Sequence, residues 1–187
     1  MSIEGFDPTL SGHPLRYAVV VSEFNSFVTD QLLRGALQTL KSHNVPAACI
    51  EVIHVPGAYE IPVAGNLLAK TGQFDGIICL GCLIRGGTLH YELSAHEVAR
   101  GIGESALQTG VPHSLGVITC DTQEQAIDRA GLKAGNKGSE AASRCDPDGF
   151  AQESVDGDPG RSGQVVSDWP DLPEQADRSW ARRCSLP

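Results

Sequence analysis

Arg16-Tyr17-Ala18-Val19-Val20-Val21 is a continuous run rich in β-branched residues. Thr29 to His43 follows it and carries Leu32, Leu33, Ala36, Leu37 and Leu40 at helical spacing. An unbroken apolar run reads as a strand covered on both faces, and a single apolar stripe reads as a helix laid against such a sheet. The pairing recurs: Ala48 to Val55 then Pro62 to Lys70, Gly76 to Gly81 then Leu89 to Gln108, Ser114 to Thr119 then Gln123 to Ala130. Four strands, each followed by a helix, predict a four-stranded parallel sheet. Right-handed crossovers place the helices on both faces, giving a three-layer, doubly wound α/β domain.

The chain has 187 residues, room for one domain with a proper core, and a formal charge of −9. That acidity argues against a nucleic acid or an anionic membrane as partner, since both require a basic face. A small polar substrate fits better. No apolar run reaches the length of a membrane span, and Met1-Ser2-Ile3-Glu4-Gly5 has no secretory pattern, so a cytoplasmic location is expected. Cys49, Cys79 and Cys120 sit in apolar runs, where a thiol acts as a small hydrophobe. Cys79-Leu80-Gly81-Cys82 has knuckle spacing, but it ends a strand and no second Cys/His pair follows at ligand spacing, so no metal is expected.

In doubly wound sheets ligands bind beyond the carboxyl ends of the strands. Those ends are Glu23-Phe24-Asn25, Pro56 to Glu60, Cys82 to His90 and Thr119 to Asp121, which gathers the polar motifs at one edge. Arg85-Gly86-Gly87-Thr88 joins a strand to a helix start, so backbone amides, the helix dipole and a guanidinium can converge on phosphate. The plain alternative is a tight turn with Thr88 as N-cap. His90, in the next turn, suits proton transfer at neutral pH, whereas His96 is read as surface or packing. Glu60, after the Pro56-Gly57-Ala58 turn, can take a pyrimidine edge or hydroxyls, or else complement a helix dipole. Phe24 can stack on a planar ring or serve as a hydrophobic staple. Arg129, Lys133 and Lys137 form a cationic series in an acidic chain, with Gly135-Asn136 breaking the register before Lys137 and Gly138.

Phe24-Asn25, Val55 to Pro62, Leu80-Gly81, Ile84-Arg85-Gly86, Thr88, His90-Tyr91, Gln125-Ala126, Arg129-Ala130-Gly131 and Lys133 to Ala142 together resemble the lumazine synthase family, in family order and over nearly all of the chain before Arg144. The resemblance implies a flavodoxin-like fold and a transferase of riboflavin biosynthesis. Its reaction condenses 5-amino-6-(D-ribitylamino)uracil with 3,4-dihydroxy-2-butanone 4-phosphate to 6,7-dimethyl-8-ribityllumazine, phosphate and water, without a metal or organic cofactor. By that likeness His90 and Arg129 are the catalytic residues. Phe24 stacks on the pyrimidine, and Ala58, Tyr59, Glu60, Cys82, Leu83 and Ile84 bind its edge and ribityl chain. Gly87, Thr88 and Arg129 take the phosphate, and Leu115 and Lys137 complete the site. The family forms homopentamers with sites that straddle subunits, some assembling twelve pentamers into icosahedral shells, and riboflavin synthase is an implied partner. Ile3-Glu4-Gly5 resembles the segment that adds a strand to a neighbouring subunit.

Two departures stand out. Pro112-His113-Ser114-Leu115-Gly116 has Leu115 where the family usually has an aromatic, which removes ring stacking. The second is the tail. Residues 1–144 read as the family domain, but 145–187 are acidic, rich in Pro and Gly, and carry no apolar period, the composition of a disordered segment. A frameshifted C-terminus is one account: codons for Arg-Cys-Asp-Pro-Asp-Gly, read one base forward, permit Ala-Ala-Ile-Gln-Met-Ala, which would prolong the helix. A catalytically weak flavin- or ribityl-binding shell protein is the main rival reading. A generic phosphate-binding signalling domain of the same fold explains fewer of the motifs.

Overall fold

The computed structural model describes residues 15–133 and 135–145. Strands β1 (Tyr17–Ser22), β2 (Ile50–Val55), β3 (Gly76–Ile84) and β4 (His113–Cys120) form one sheet in the order β2-β1-β3-β4, and every neighbouring pair is parallel. Helices α1 (Ser26–Ser42), α2 (Ile61–Lys70), α3 (His90–Thr109), α4 (Gln123–Arg129) and α5 (Lys137–Arg144) complete a flavodoxin-like α/β fold. No helix among the described residues is long and apolar enough to cross a membrane.

The period of two along β1 explains the three layers. Tyr17, Val19 and Val21 pack with Val28, Leu32 and Ala36 of α1 and Ala141 and Ala142 of α5, while Ala18 and Val20 face Ile61 and Ala69 of α2 and Val98 and Ile102 of α3. All six β1 residues are buried, as a central strand between two helical layers must be. The same alternation separates Cys79 from Cys82: the first belongs to the α2/α3 core and the second to the α1/α5 core. Their side chains therefore lie on opposite faces of the sheet and cannot converge on one ion. Burial pushes the Cys82 thiol up to about 12, with Cys120 nearby adding to the effect.

One strand boundary differs in a way that matters. The sequence reading ends β3 at Gly81, where the segment from Cys82 to His90 begins. The strand instead continues through Ile84, since Cys82, Leu83 and Ile84 pair with Ile118, Thr119 and Cys120. Cys145 ends the described chain, buried, with its Sγ 3.5 Å from the Ile77 carbonyl oxygen, so the folded unit includes it. Ile3-Glu4-Gly5 and the tail from residue 146 onward lie outside the described residues.

Candidate active site

At the carboxyl edge of the sheet the chain leaves β1 for α1 on one face and β3 for α3 on the other, opening the crevice at which such folds bind ligands. The crevice is braced by Asn25. This residue takes the left-handed conformation, φ 63° and ψ 40°, which asparagine tolerates, and its Nδ2 donates to the Cys82 carbonyl at 3.0 Å. Backbone bonds continue past the strand ends, Glu23 N to Val55 O at 2.8 Å and Phe24 N to Pro56 O at 3.1 Å. They fix Phe24 beside the Pro56-Gly57 turn.

A cleft of about 570 Å³ opens there, lined by Phe24, Ala58, Tyr59, Glu60, Leu83 and Ile84 together with Thr88 and His90. Eight of the expected site residues thus meet in one place. Phe24 is 68% exposed, so it presents a free ring instead of stapling the helix. Glu60 is exposed at the start of α2 and makes no capping bond; its carboxylate folds back over Gly57, where a Cβ would stand 3.0 Å from Oε2. His90 is exposed at the first turn of α3, with Nε2 3.5 Å from Ser94 Oγ. Leu83 and Ile84 reach the cleft because they belong to the extended β3.

The turn between β3 and α3 is open backbone. The N-cap of α3 is Leu89 with no side-chain capping bond, so Thr88 does not serve as the cap. A Cβ on Gly86 or Gly87 would meet nothing within 4 Å, leaving their backbone accessible. Gly86 lines the cleft and Gly87 lies just outside its wall. Arg85, which the sequence offered as a cation for the anion, points elsewhere. Its Nε donates to Asp121 Oδ1 at 2.7 Å, its Nη1 pairs with Glu92, and its guanidinium lies 4.6 Å from the centre of the Tyr91 ring. Hydrogen bonding to Asp121 first, and Glu92 after it, hold Arg85 above its ordinary value.

Besides Gly87, four expected residues do not line the cleft. Cys82 is buried under its wall and contributes its carbonyl to Asn25. Leu115 is 52% exposed on β4 and lines a second cleft of about 380 Å³ beside Arg85, Tyr91 and His96. Arg129 ends α4, exposed, beside the Cys120 sulfur, where it opposes the burial that raises that thiol. Cys120 packs into the α1/α5 core, so Arg129 lies on the far side of the sheet from the α2/α3 face. Lys137 opens α5 and donates to Glu140 Oε2 at 2.7 Å. Lys133 is exposed between α4 and α5.

A larger groove of about 880 Å³ runs between α1 and the α4/α5 segment, past Phe27, Arg34 and Leu132; it contains none of the residues at the strand ends, but from the later motifs it takes Ala130, Gly131, Ser139 and Asn136. Asn136 has a structural task. Its Oδ1 accepts from Gly138 N at 2.8 Å and Ser139 N at 3.1 Å, capping α5, and its Nδ2 donates to Gln31 O at 2.8 Å and Ala130 O at 2.9 Å.

The family model for 6,7-dimethyl-8-ribityllumazine synthase matches residues 14–146, which include every element of the sheet and every residue of the cleft. The chain belongs to that family. Membership in the lumazine synthase family makes it a transferase-type enzyme of riboflavin biosynthesis. Two cleft residues were given no site role by the sequence reading: Tyr91, quoted only within the His90-Tyr91 motif and with its ring under Arg85, and Ser94, which is buried beside His90. The signal was present in both cases. On a helix that begins at His90, position i+4 stacks on the same face, so Ser94 follows from His90.

Proposed function

We propose that the protein condenses 5-amino-6-(D-ribitylamino)uracil with 3,4-dihydroxy-2-butanone 4-phosphate to form 6,7-dimethyl-8-ribityllumazine, phosphate and water. The observation that carries this reading is the single cleft that joins a free aromatic face, a carboxylate, an open glycine turn and an imidazole: Phe24, Glu60, Gly86 and His90. Phe24 stacks on the pyrimidine, and Ala58, Tyr59 and Glu60 bind its polar edge. Leu83 and Ile84 flank the ribityl chain. The amides of the turn from Gly86 to Thr88 receive the phosphate.

The chemistry needs orientation and proton movement. The pyrimidine amine adds to the ketone and loss of water gives the imine. Loss of a proton and of phosphate leaves an enol at the former C3 hydroxyl, which tautomerises to a second carbonyl. The ribitylamino nitrogen closes the ring on it with loss of a second water. Holding two substrates in register accounts for much of the acceleration. His90 takes and returns protons at the amine and at the departing groups, adding about 10²–10⁴-fold.

Arg129, Lys137 and Leu115 stand apart from the cleft within one chain. A homo-oligomer whose neighbouring subunit supplies them accounts for that separation, and the pentamer of the family is the proposed assembly. Adding both substrates to the purified oligomer and measuring product and free phosphate tests the reading. The rival, a flavin-binding shell protein of weak activity, draws on Leu115, whose exposed aliphatic side chain cannot stack on a ring. Tight riboflavin binding without turnover would favour it.

A further inference from the structure

The loop from Gly86 to Leu89 has little of its own to hold it. Its glycines touch nothing at the Cβ position, Thr88 and Leu89 are exposed, and the helix it enters has no side-chain cap. Yet one side chain grips both of its ends. Arg85 enters the loop with its backbone N–H on Cys120 O at 2.8 Å and its Nε on Asp121 Oδ1 at 2.7 Å. The same guanidinium donates from Nη1 to Glu92 and lies over Tyr91, so it also holds the first turn of α3, beyond the loop. The Arg85 side chain closes a ring around the backbone whose amides face an incoming anion.

The cation itself is turned away from that anion. Arg85 lines the second cleft with Leu115 and His96, and not the one that contains Phe24, Glu60 and His90. Two carboxylates flank it, and a phosphate reaching the guanidinium would have to compete with both. Its planar fork serves two acceptors while its face stacks on a ring, a combination that lysine cannot reproduce.

We propose that Arg85 is a positioning residue for the phosphate subsite: it does not hold the anion but fixes the loop that does, through Asp121, Glu92 and Tyr91. The inference rests on the reading of the cleft given under Proposed function, and its consequences differ from those of direct phosphate binding. If Arg85 bound phosphate, neutralising the competing carboxylates would free it and strengthen binding. If Arg85 positions the loop, neutralising them loosens the cradle.

The test compares the wild-type oligomer with Glu92→Gln, Asp121→Asn, Arg85→Lys and Arg85→Met. Inorganic phosphate is titrated by calorimetry, and KM is measured for each substrate. All four variants are expected to weaken phosphate and raise KM for the ketone phosphate by about three- to tenfold, the scale of exposed ion pairs and one cation–π contact, with KM for the pyrimidine unchanged. Unchanged or tighter phosphate binding in Glu92→Gln and Asp121→Asn would overturn the inference, as would an Arg85→Met variant that binds like the wild type. The two carboxylate variants keep the side-chain shape and carry the test if Arg85→Met does not fold. Calorimetry separates the two claims: a wild type that makes no lumazine, yet binds phosphate with this dependence, would sink the proposed reaction and leave the role of Arg85 intact.

Discussion

A Cβ on Gly138 would stand 2.0 Å from the carbonyl oxygen of Leu32, so α5 lies against α1 only because position 138 has no side chain. Gly138→Ala must push the helices apart, in a core that also holds Leu32, Ala36, Ala141 and Ala142. Overpacking of this kind costs about 1–3 kcal/mol. Urea unfolding should show a stability lower by that amount, and an unchanged stability would mean that α5 does not pack as described.

Asn136→Ala removes four hydrogen bonds at once, two that cap α5 and two that tie it to Gln31 and Ala130. The expected loss is about 1–2 kcal/mol, near the top of the usual range for a cap because the tethers go with it. Asn136→Asp should retain the capping part and lose the two donor bonds, and so fall between wild type and alanine in the same unfolding experiment.

His113 gives the stability a pH dependence whose sign follows from its surroundings. Its Nδ1 meets Val111 O at 2.8 Å and its other ring nitrogen meets Ser105 Oγ at 2.9 Å, while burial holds its pKa below the ordinary histidine value. The unfolded chain therefore binds this proton at a higher pH than the folded one does. The His113 contribution is complete above an ordinary value of about 6.5 and falls as pH drops through it towards the depressed folded value. Unfolding midpoints measured on either side of that value should show acid destabilisation, and His113→Gln should flatten the slope. An equal slope in the variant would assign the effect elsewhere.

His90→Ala should separate chemistry from folding. The ring is exposed and its only described side-chain neighbour at hydrogen-bonding range is Ser94 Oγ at 3.5 Å, so stability should move by less than about 0.5 kcal/mol. kcat should fall by about 10²–10⁴-fold, and undiminished turnover would remove His90 from the mechanism.

The four strand and helix pairs were legible because both signals are local: β-branched runs such as Val19-Val20-Val21 and leucines at helical spacing after Thr29. The gathering of Phe24, Glu60 and His90 followed from topology, since each sits at the carboxyl end of a strand. What the sequence could not supply were long-range partners. The reach of β3 to Ile84 depends on pairing with β4, and the direction of Arg85 depends on Asp121, 36 residues away. Asn136 read only as a break in the helical register before Lys137, yet its side chain caps α5 and ties it to the backbone at Gln31 and Ala130.

The most direct measurement follows lumazine absorbance and released phosphate after the assembled protein is mixed with 5-amino-6-(D-ribitylamino)uracil and 3,4-dihydroxy-2-butanone 4-phosphate. The account predicts 6,7-dimethyl-8-ribityllumazine and phosphate in equal amounts, both formed about 10²–10⁴-fold more slowly in His90→Ala. A correctly assembled oligomer that binds riboflavin tightly and forms neither product would contradict it.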